Sequence, residues 1–411
     1  MTMPQLPAEG STWRTPLIVI AAGCLIAVMG FGVRSSMGLF LEPMTAMRGW
    51  DRETFSLAMA IQNLLWGLGV PVAGIFADRI GPARVIIFGA AMYAAGIWGM
   101  SAAEGAMALH LFGGVLTGLG IAFTAFTLAM AAMARVVGPE RRSLVLGLGT
   151  AAGSLGQVIF TPLGRYWIDI YGWEFALILL TATLVILVPL ALVLPSGGQG
   201  KGEVESNQTI REAFREAMAH RGFVLLTLGF FVCGYQIGFI TIHFPAFVKG
   251  VGLSDSVGAT ALALVGLFNI AGSLLSGVVG QRFSKKAALS LIYFLRSALI
   301  VALMMAPKTE LTIYIFAGSM GLLWLSTVPL TTGIIAQVFG MRYMATLFGI
   351  VFLSHQLGSS LGIWLGGRLY DTTGSYDVVW WTGAALGVAA GILHLPINER
   401  PLARLQPQPA T

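Results

Sequence analysis

Twelve apolar runs, each long enough to cross a bilayer, follow one another along the chain with short polar breaks between them. They cover 16–41, 54–77, 83–102, 105–134, 143–168 and 174–194, then 223–248, 257–280, 287–306, 311–337, 345–367 and 377–396. A segment buried in hydrocarbon must satisfy its own backbone, so each run is predicted to be a helix. Composition agrees: 56% of the residues are hydrophobic and 10% charged, against about 25% charged in a soluble domain. The predicted class is an all-α membrane protein of twelve transmembrane helices.

With both termini placed in the cytosol, sixteen Lys and Arg fall in inner segments, six fall outside, and two, Arg34 and Arg296, lie within the membrane. That excess of inner cations sets the orientation, in a plasma membrane or the inner membrane of a bacterium. The longest polar interval, 195–222, divides the runs six and six. It opens Ser196-Gly197-Gly198-Gln199-Gly200 and continues Thr209-Ile210-Arg211-Glu212, a capping-box pattern. Ile210, Phe214 and Met218 follow at four-residue spacing with charges opposite, which predicts an amphipathic helix at the membrane surface. The expected organisation is a six-helix bundle over 1–195, a linker over 196–221 and a second six-helix bundle over 222–411.

The two halves repeat. A shift of 202 carries Gly147, Gly156, Gly164, Asp169 and Gly172 onto Gly349, Gly358, Gly366, Asp371 and Gly374, and carries Gly32 and Pro43 onto Gly234 and Pro245. Two pseudo-symmetric six-helix bundles in parallel repeat are a transporter architecture, with the site near midplane between them. Other classes find no support. The Lys and Arg are scattered through short loops with no basic stripe, so nucleic acid is not an expected partner. Cys24 and Cys233 lack metal-ligand spacing, and no metal or cofactor is expected. The Gly-rich runs follow no strand and read as close helix packing rather than phosphate loops. No nucleophile–base pair falls within the spans, so the chain is not read as an enzyme.

The chemistry lies in an absence. All 18 Asp and Glu fall in loops, termini or span edges. Arg34 and Arg296 therefore have no intramembrane carboxylate, although a guanidinium in a span costs roughly 2.5–3.5 kcal/mol on insertion scales. A buried charge without a partner is strongly unfavourable. An anionic substrate, held by the bidentate guanidinium fork, supplies the missing charge. Arg34 has the alternative of snorkelling to a helix end. Arg296 has the alternative of bonding backbone carbonyls or hydroxyls of a neighbouring helix. Further polar residues expected at the site are Gln62, Asn63, Tyr235, Gln236 and Asn269, with Gln236 the repeat partner of Arg34. His355 is the preferred proton-coupling group, ahead of His243 and His110.

Between the second and third spans stands Gly74-Ile75-Phe76-Ala77-Asp78-Arg79-Ile80-Gly81-Pro82-Ala83-Arg84. This resembles the loop signature of the major facilitator superfamily, with Pro82 and Ala83 in place of its basic positions. Its second-half counterpart runs from Gly277 to Lys286 and carries Arg282, with Gln281 replacing the Asp. The resemblance implies a gate latch built from Gly74, Asp78, Arg79, Gly81, Arg84, Arg142 and Arg282. Within the superfamily the chain is most similar to the monocarboxylate transporter family and bacterial oxalate–formate exchangers. Arg34 stands at that family's helix-one cation, Arg141-Arg142-Ser143-Leu144 resembles its helix-five opening, and His355 stands where oxalate exchangers carry a helix-eleven lysine. Asn269 and Ser273 replace the family's helix-eight Asp and Arg.

The expected protein is thus a monomeric secondary transporter in the lipid bilayer. It moves a small organic anion, a mono- or dicarboxylate, by alternating access with proton symport or exchange for a counter-anion. A drug or metabolite exporter of the same fold and a non-transporting membrane sensor are the alternatives.

Overall fold

The computed structural model describes residues 14–137, 142–195, 208–340 and 342–405. Among them all regular structure is helical. Helix α1 (Pro16–Ser35) starts on Thr15, whose side chain accepts from the Ile18 amide, with Pro16 fitting the first turn. A 3-10 turn over Met37–Phe40 carries it into α2 (Leu41–Arg48). Then come α3 (Arg52–Ile80), capped by Asp51, and α4 (Pro82–Ser101). The fourth span is assembled from α5 (Ala106–Leu109), a π turn over His110–Leu116, α6 (Thr117–Phe123) and α7 (Phe126–Arg135). Helix α8 (Arg142–Val185) holds the fifth and sixth spans, turning at Gly172, and α9 (Leu187–Val193) extends it.

The second half opens with α10 (Ile210–Ala219) in the linker. The capping box predicted there is formed: Thr209 accepts from the Glu212 amide, and Glu212 accepts from the Thr209 amide at 2.8 Å, which holds this carboxyl below its usual range. Ala213 and Ala217 are the buried positions of α10, and the apolar stripe of Ile210, Phe214 and Met218 is exposed. The remaining spans are α11 (Arg221–Gly250), α12 (Asp255–Arg282), α13 (Lys285–Met305), α14 (Glu310–Leu323) with α15 (Thr327–Phe339), α16 (Met344–Thr373) and α17 (Asp377–His394). Among the described residues ten stretches are long and apolar enough to cross a membrane; one of them, Gly147–Val193, contains two spans, and the 18-residue α17 lies outside the ten.

The repeated glycines explain how the helices approach. A Cβ on Gly234 of α11 would lie 1.8 Å from the carbonyl oxygen of His355 in α16, and one on Gly358 of α16 would lie 1.9 Å from that of Phe231. Their repeat partners do the same work between α1 and α8, where a Cβ on Gly156 would lie 2.2 Å from the Val28 carbonyl. Without hydrophobic drive between helices in lipid, such backbone contact supplies the packing energy. Gly172 and Gly374, also a repeat pair, sit at φ of 81° and 73° in turns that a side chain would strain. Gly234→Ala should therefore cost about 1–3 kcal/mol by overpacking, read as a fall in Tm of the purified protein. An unchanged Tm would contradict the close crossing.

Two lateral contacts join the halves: α3 lies along α16, and α8 lies along α12. The repeat relates them. Ser360 donates to the Ala60 carbonyl at 2.9 Å, and Gln157 donates to the carbonyl of Leu262, the repeat partner of Ala60, at 2.8 Å.

Candidate functional site

Arg34 closes α1 and is 7% exposed. Its Nη2 donates to Asn63 Oδ1 of α3 at 2.9 Å, and its Nε has no partner. Among the described residues no carboxylate pairs with it. The guanidinium lies 4.5 Å from the Trp66 ring centroid and 5.7 Å from that of Phe31, so two aromatic faces partly offset its charge. A pocket beside it is lined by Gly30, Phe31, Trp66, Ile121, Thr124 and Ala125, among others. Its volume of about 20 Å³ admits one water, so any larger occupant requires the walls to part.

Two of those lining residues mark a break in the fourth span. Helix α6 ends at Phe123, Ala125 leaves the helical region with ψ of 131°, and α7 restarts at Phe126. The pocket thus adjoins the N-terminal, electropositive end of a half-helix, a geometry that favours an anion. Arg34 faces the same pocket. A guanidinium with a free N–H and a broken helix therefore bear on one small apolar cavity.

The tenth span breaks at the repeat-related place, between α14 and α15, and there the structure puts Arg296 and Asn269 to use. Arg296 is fully buried; its Nε donates to the Leu323 carbonyl at 3.2 Å, its Nη2 donates to the carbonyls of Leu323 and Trp324, and its Nη1 lies 3.2 Å from Cys233 Sγ. Asn269 Oδ1 accepts from the Leu325 amide at 2.9 Å, and its Nδ2 donates to Ser154 across the halves at 2.9 Å. The carbonyls freed by the break and one of its amides are thus taken up by these two side chains. Of the two alternatives open to Arg296, the backbone carbonyls are the one realised.

The other expected residues divide. Asn63 meets Arg34, and its Oδ1 also accepts from Ser359 of α16 at 3.3 Å, while its carbonyl accepts from Gln356 at 3.2 Å. His355 bonds Gln356 Oε1 through Nδ1 at 2.9 Å, so a string of bonds runs from His355 through Gln356 and Asn63 to Arg34. Its ring stacks on Phe352. Gln62 turns away, donating to the Gly113 carbonyl in the π turn at 3.0 Å. Gln236 donates to Gly383 of α17 at 2.9 Å, and the buried Tyr235 hydroxyl has no partner; neither joins Arg34.

In the loop expected to form a latch, Gly81 has φ of 89° and ψ of 148°, which glycine alone adopts readily, and Gly74 has open space beside it. Arg79, Arg84 and Arg282 are exposed, and no ion pair among the described residues includes them. The side chains of Asp78 and Arg142 lie outside the described residues.

A denser set of cross-half bonds stands at the end opposite the termini, and sequence reasoning passed over it as loop charge. Arg368 of α16 pairs with Glu53 of α3 at 2.8 Å; Arg165 of α8 pairs with Asp255 of α12 at 3.3 Å. Asp255 is the repeat partner of Glu53, and Arg368 stands one residue beyond the repeat partner of Arg165, so the two contacts are alike with the base displaced by one position. Trp364 also donates to Glu53, at 3.1 Å. Asp371 accepts from the amides of Arg52 and Glu53 at 3.1 and 2.7 Å, capping α3 from the other half. The acid–base pairing at repeat-related positions was the available signal.

Comparison with known proteins bears on this arrangement. A model of the Major Facilitator Superfamily matches residues 20–363. Monocarboxylate transporter 13 of Rattus norvegicus is 25% identical over 391 residues, which cover 94% of this chain and 89% of that one. The oxalate:formate antiporter of Oxalobacter formigenes is 23% identical over 372 residues, covering 89% and 86%. Among solved structures, a bacterial homolog of the human lysosomal transporter Spinster, inward-facing and unoccupied, matches with a TM-score of 0.70 at 16% identity over 94% of this chain and 96% of that one; the likeness is one of fold.

Proposed function

The chain belongs to the Major Facilitator Superfamily, a family of transporters, and we propose that it carries a small organic monocarboxylate with Arg34 as the anion-binding residue. The observation that carries this reading is the buried Arg34 guanidinium with no carboxylate partner and a free Nε, at the edge of an apolar pocket. A single cation suits a single carboxylate. Arg296, the only other intramembrane arginine or lysine among the described residues, is already engaged by Leu323, Trp324 and Cys233, which disfavours a dicarboxylate spanning the two. The aliphatic and aromatic lining suits a short apolar body on the substrate.

Transport proceeds by alternating access between the bundles 1–195 and 222–411, connected by the linker 196–221; residues 196–207 of that linker lie outside the described residues. With both termini in the cytosol of a bacterial inner membrane, the cross-half bonds of Glu53, Asp255 and Asp371 close the outer face, and the site awaits substrate or release on the inner one. A single chain supplies both bundles, so the carrier works as a monomer. Proton symport is the coupling, and the string from His355 through Gln356 and Asn63 to Arg34 supports it: a charge arriving on one end repositions the other.

The test is a thermal-shift screen of the purified protein against organic acids, followed by proteoliposome flux at two pH values. A monocarboxylate at one hundred times its Kd should stabilise the folded state by about 2.7 kcal/mol. A dicarboxylate of similar size should do so weakly. Stabilisation by neutral or cationic compounds alone would favour the exporter alternative and overturn this reading.

A further inference from the structure

A second buried cluster lies at the junction of the halves, on the side opposite the termini. His243 of α11 is fully buried, and both ring nitrogens are engaged. Nε2 lies 2.8 Å from the Ile363 carbonyl oxygen, so it carries a hydrogen and donates it; Ser56 of α3 is a longer contact at 3.4 Å. Nδ1 is then an acceptor, and the Tyr376 hydroxyl, 3.1 Å away, donates to it. That phenol oxygen also accepts from Arg52 Nη1 at 2.5 Å. Arg52 in turn donates through Nη2 to Glu42 at 2.8 Å, and Glu42 pairs with Lys249 at 3.2 Å. The string from His243 to Lys249 passes from the second half into the first and back. Glu42, Arg52, Lys249 and Asp371 line an adjoining pocket of about 590 Å³, roomy enough for water.

We infer that His243 is a proton-binding site whose occupancy releases the contacts holding α3 against α16 and Tyr376. The inference deepens the coupling proposed above and rests on the chain being a proton-coupled carrier. The bonding on the page is complete only for a neutral imidazole. Proton uptake passes the Tyr376 hydroxyl hydrogen to Nδ1, and a hydronium ion arriving from the pocket side, past Arg52, gives its proton to the phenol oxygen and leaves as water, so one proton is bound from that face. The imidazolium then presents a second N–H to an oxygen already held by Arg52, and the new phenol hydrogen loses its acceptor.

Among the described residues, the groups facing the ring give the charge no counterion. From α3 the charged neighbour is Arg52, itself a cation. From the turn between α16 and α17 it is the neutral phenol of Tyr376, and α16 offers the Ile363 carbonyl. On α11 itself Phe239 stacks on the ring, and Lys249 is turned to Glu42 and Asp255. Among the carboxylates near Arg52, Glu42 bonds that guanidinium and Asp371 caps the α3 amides. Repulsion between imidazolium and guanidinium is relieved when Arg52, and α3 with it, moves from Tyr376. The Asp371 cap and the Arg368–Glu53 pair then part in the same movement.

Hydrogen–deuterium exchange on the full-length purified protein tests this, following peptides that span 51–57 and 366–376 between about pH 8 and about pH 5, with times rescaled for intrinsic exchange. In the wild type, protection of the α3 start should fall about tenfold, because the parted state, with His243 open to water, takes up the proton that the closed site resists. His243→Gln, which is neutral and keeps a donor and an acceptor, should hold protection at every pH. Tyr376→Phe should lower protection throughout and flatten its pH dependence. Protection that is independent of pH in the wild type, or equally pH-dependent in His243→Gln, overturns the proposal. Flux separates this from the parent reading: proton-driven uptake with an unresponsive α3 sinks His243 alone, whereas a responsive α3 without proton-driven uptake sinks symport.

Discussion

Arg34→Gln should abolish carboxylate uptake into proteoliposomes while leaving the protein folded and inserted. The guanidinium is the one intramembrane cation with an unengaged N–H facing a pocket among the described residues. Removing one partner of a buried charge pair costs about 3–5 kcal/mol, because the other charge is left uncompensated. Here that other charge is the substrate's carboxylate, so kcat/KM should fall by roughly 10²–10⁴. Asn63 keeps its bonds with Ser359 and Gln356 in the variant, so Tm should stay near that of the wild type. Arg34→Lys keeps the charge but loses the planar fork, and about a tenfold loss is expected. Wild-type flux in Arg34→Gln would remove the basis of the assignment.

The second large effect is on stability. Arg296→Leu should lower Tm sharply, by an amount corresponding to at least about 2 kcal/mol, since each buried acceptor left unmade costs about 1–3 kcal/mol. The Leu323 and Trp324 carbonyls at the break would lose their donor within a membrane-spanning segment, where an unmade backbone bond is costly. The variant, rescued by low temperature or stabilising lipid, should still be stabilised by monocarboxylates. Loss of that stabilisation at unchanged Tm would instead place Arg296 on the substrate. Measuring both quantities on one preparation separates the roles.

What the sequence made legible follows from what lipid enforces. Helices must close their own hydrogen bonds, so apolar length alone gave the spans, and the shift of 202 gave the halves. The repeated glycines were legible as a pattern, and the crossings of α11 with α16 and of α1 with α8 give the reason. Arg34 stood out because charge in a span is costly whatever the fold. The helix breaks at 124–125 and 324–326 were not legible: neither contains Gly or Pro, and the second is held by Arg296 and Asn269, partners far away in sequence. Arg296 and Asn269 therefore read from the sequence as site residues, whereas Arg296 bonds the Leu323 and Trp324 carbonyls and Cys233, and Asn269 bonds the Leu325 amide and Ser154. Asn63 was selected as a polar midplane residue, but its bond to Arg34 and its reach to Ser359 depend on the rotation of α3, which apolar periodicity along a mean-hydrophobic span does not define. The Glu53 and Asp255 contacts were hidden for another reason: loop charges are ordinarily solvated, and only the pairing of repeat positions distinguishes these.

The central claim is that the Arg34 guanidinium receives the carboxylate of the cargo. Anomalous diffraction from crystals grown with a brominated monocarboxylate tests it most directly. The account predicts a bromine peak against Phe31, Trp66 and Ile121, with the carboxylate bonded to Arg34 through the nitrogen now free. A peak elsewhere, with Arg34 still bonded to Asn63 alone, would contradict it.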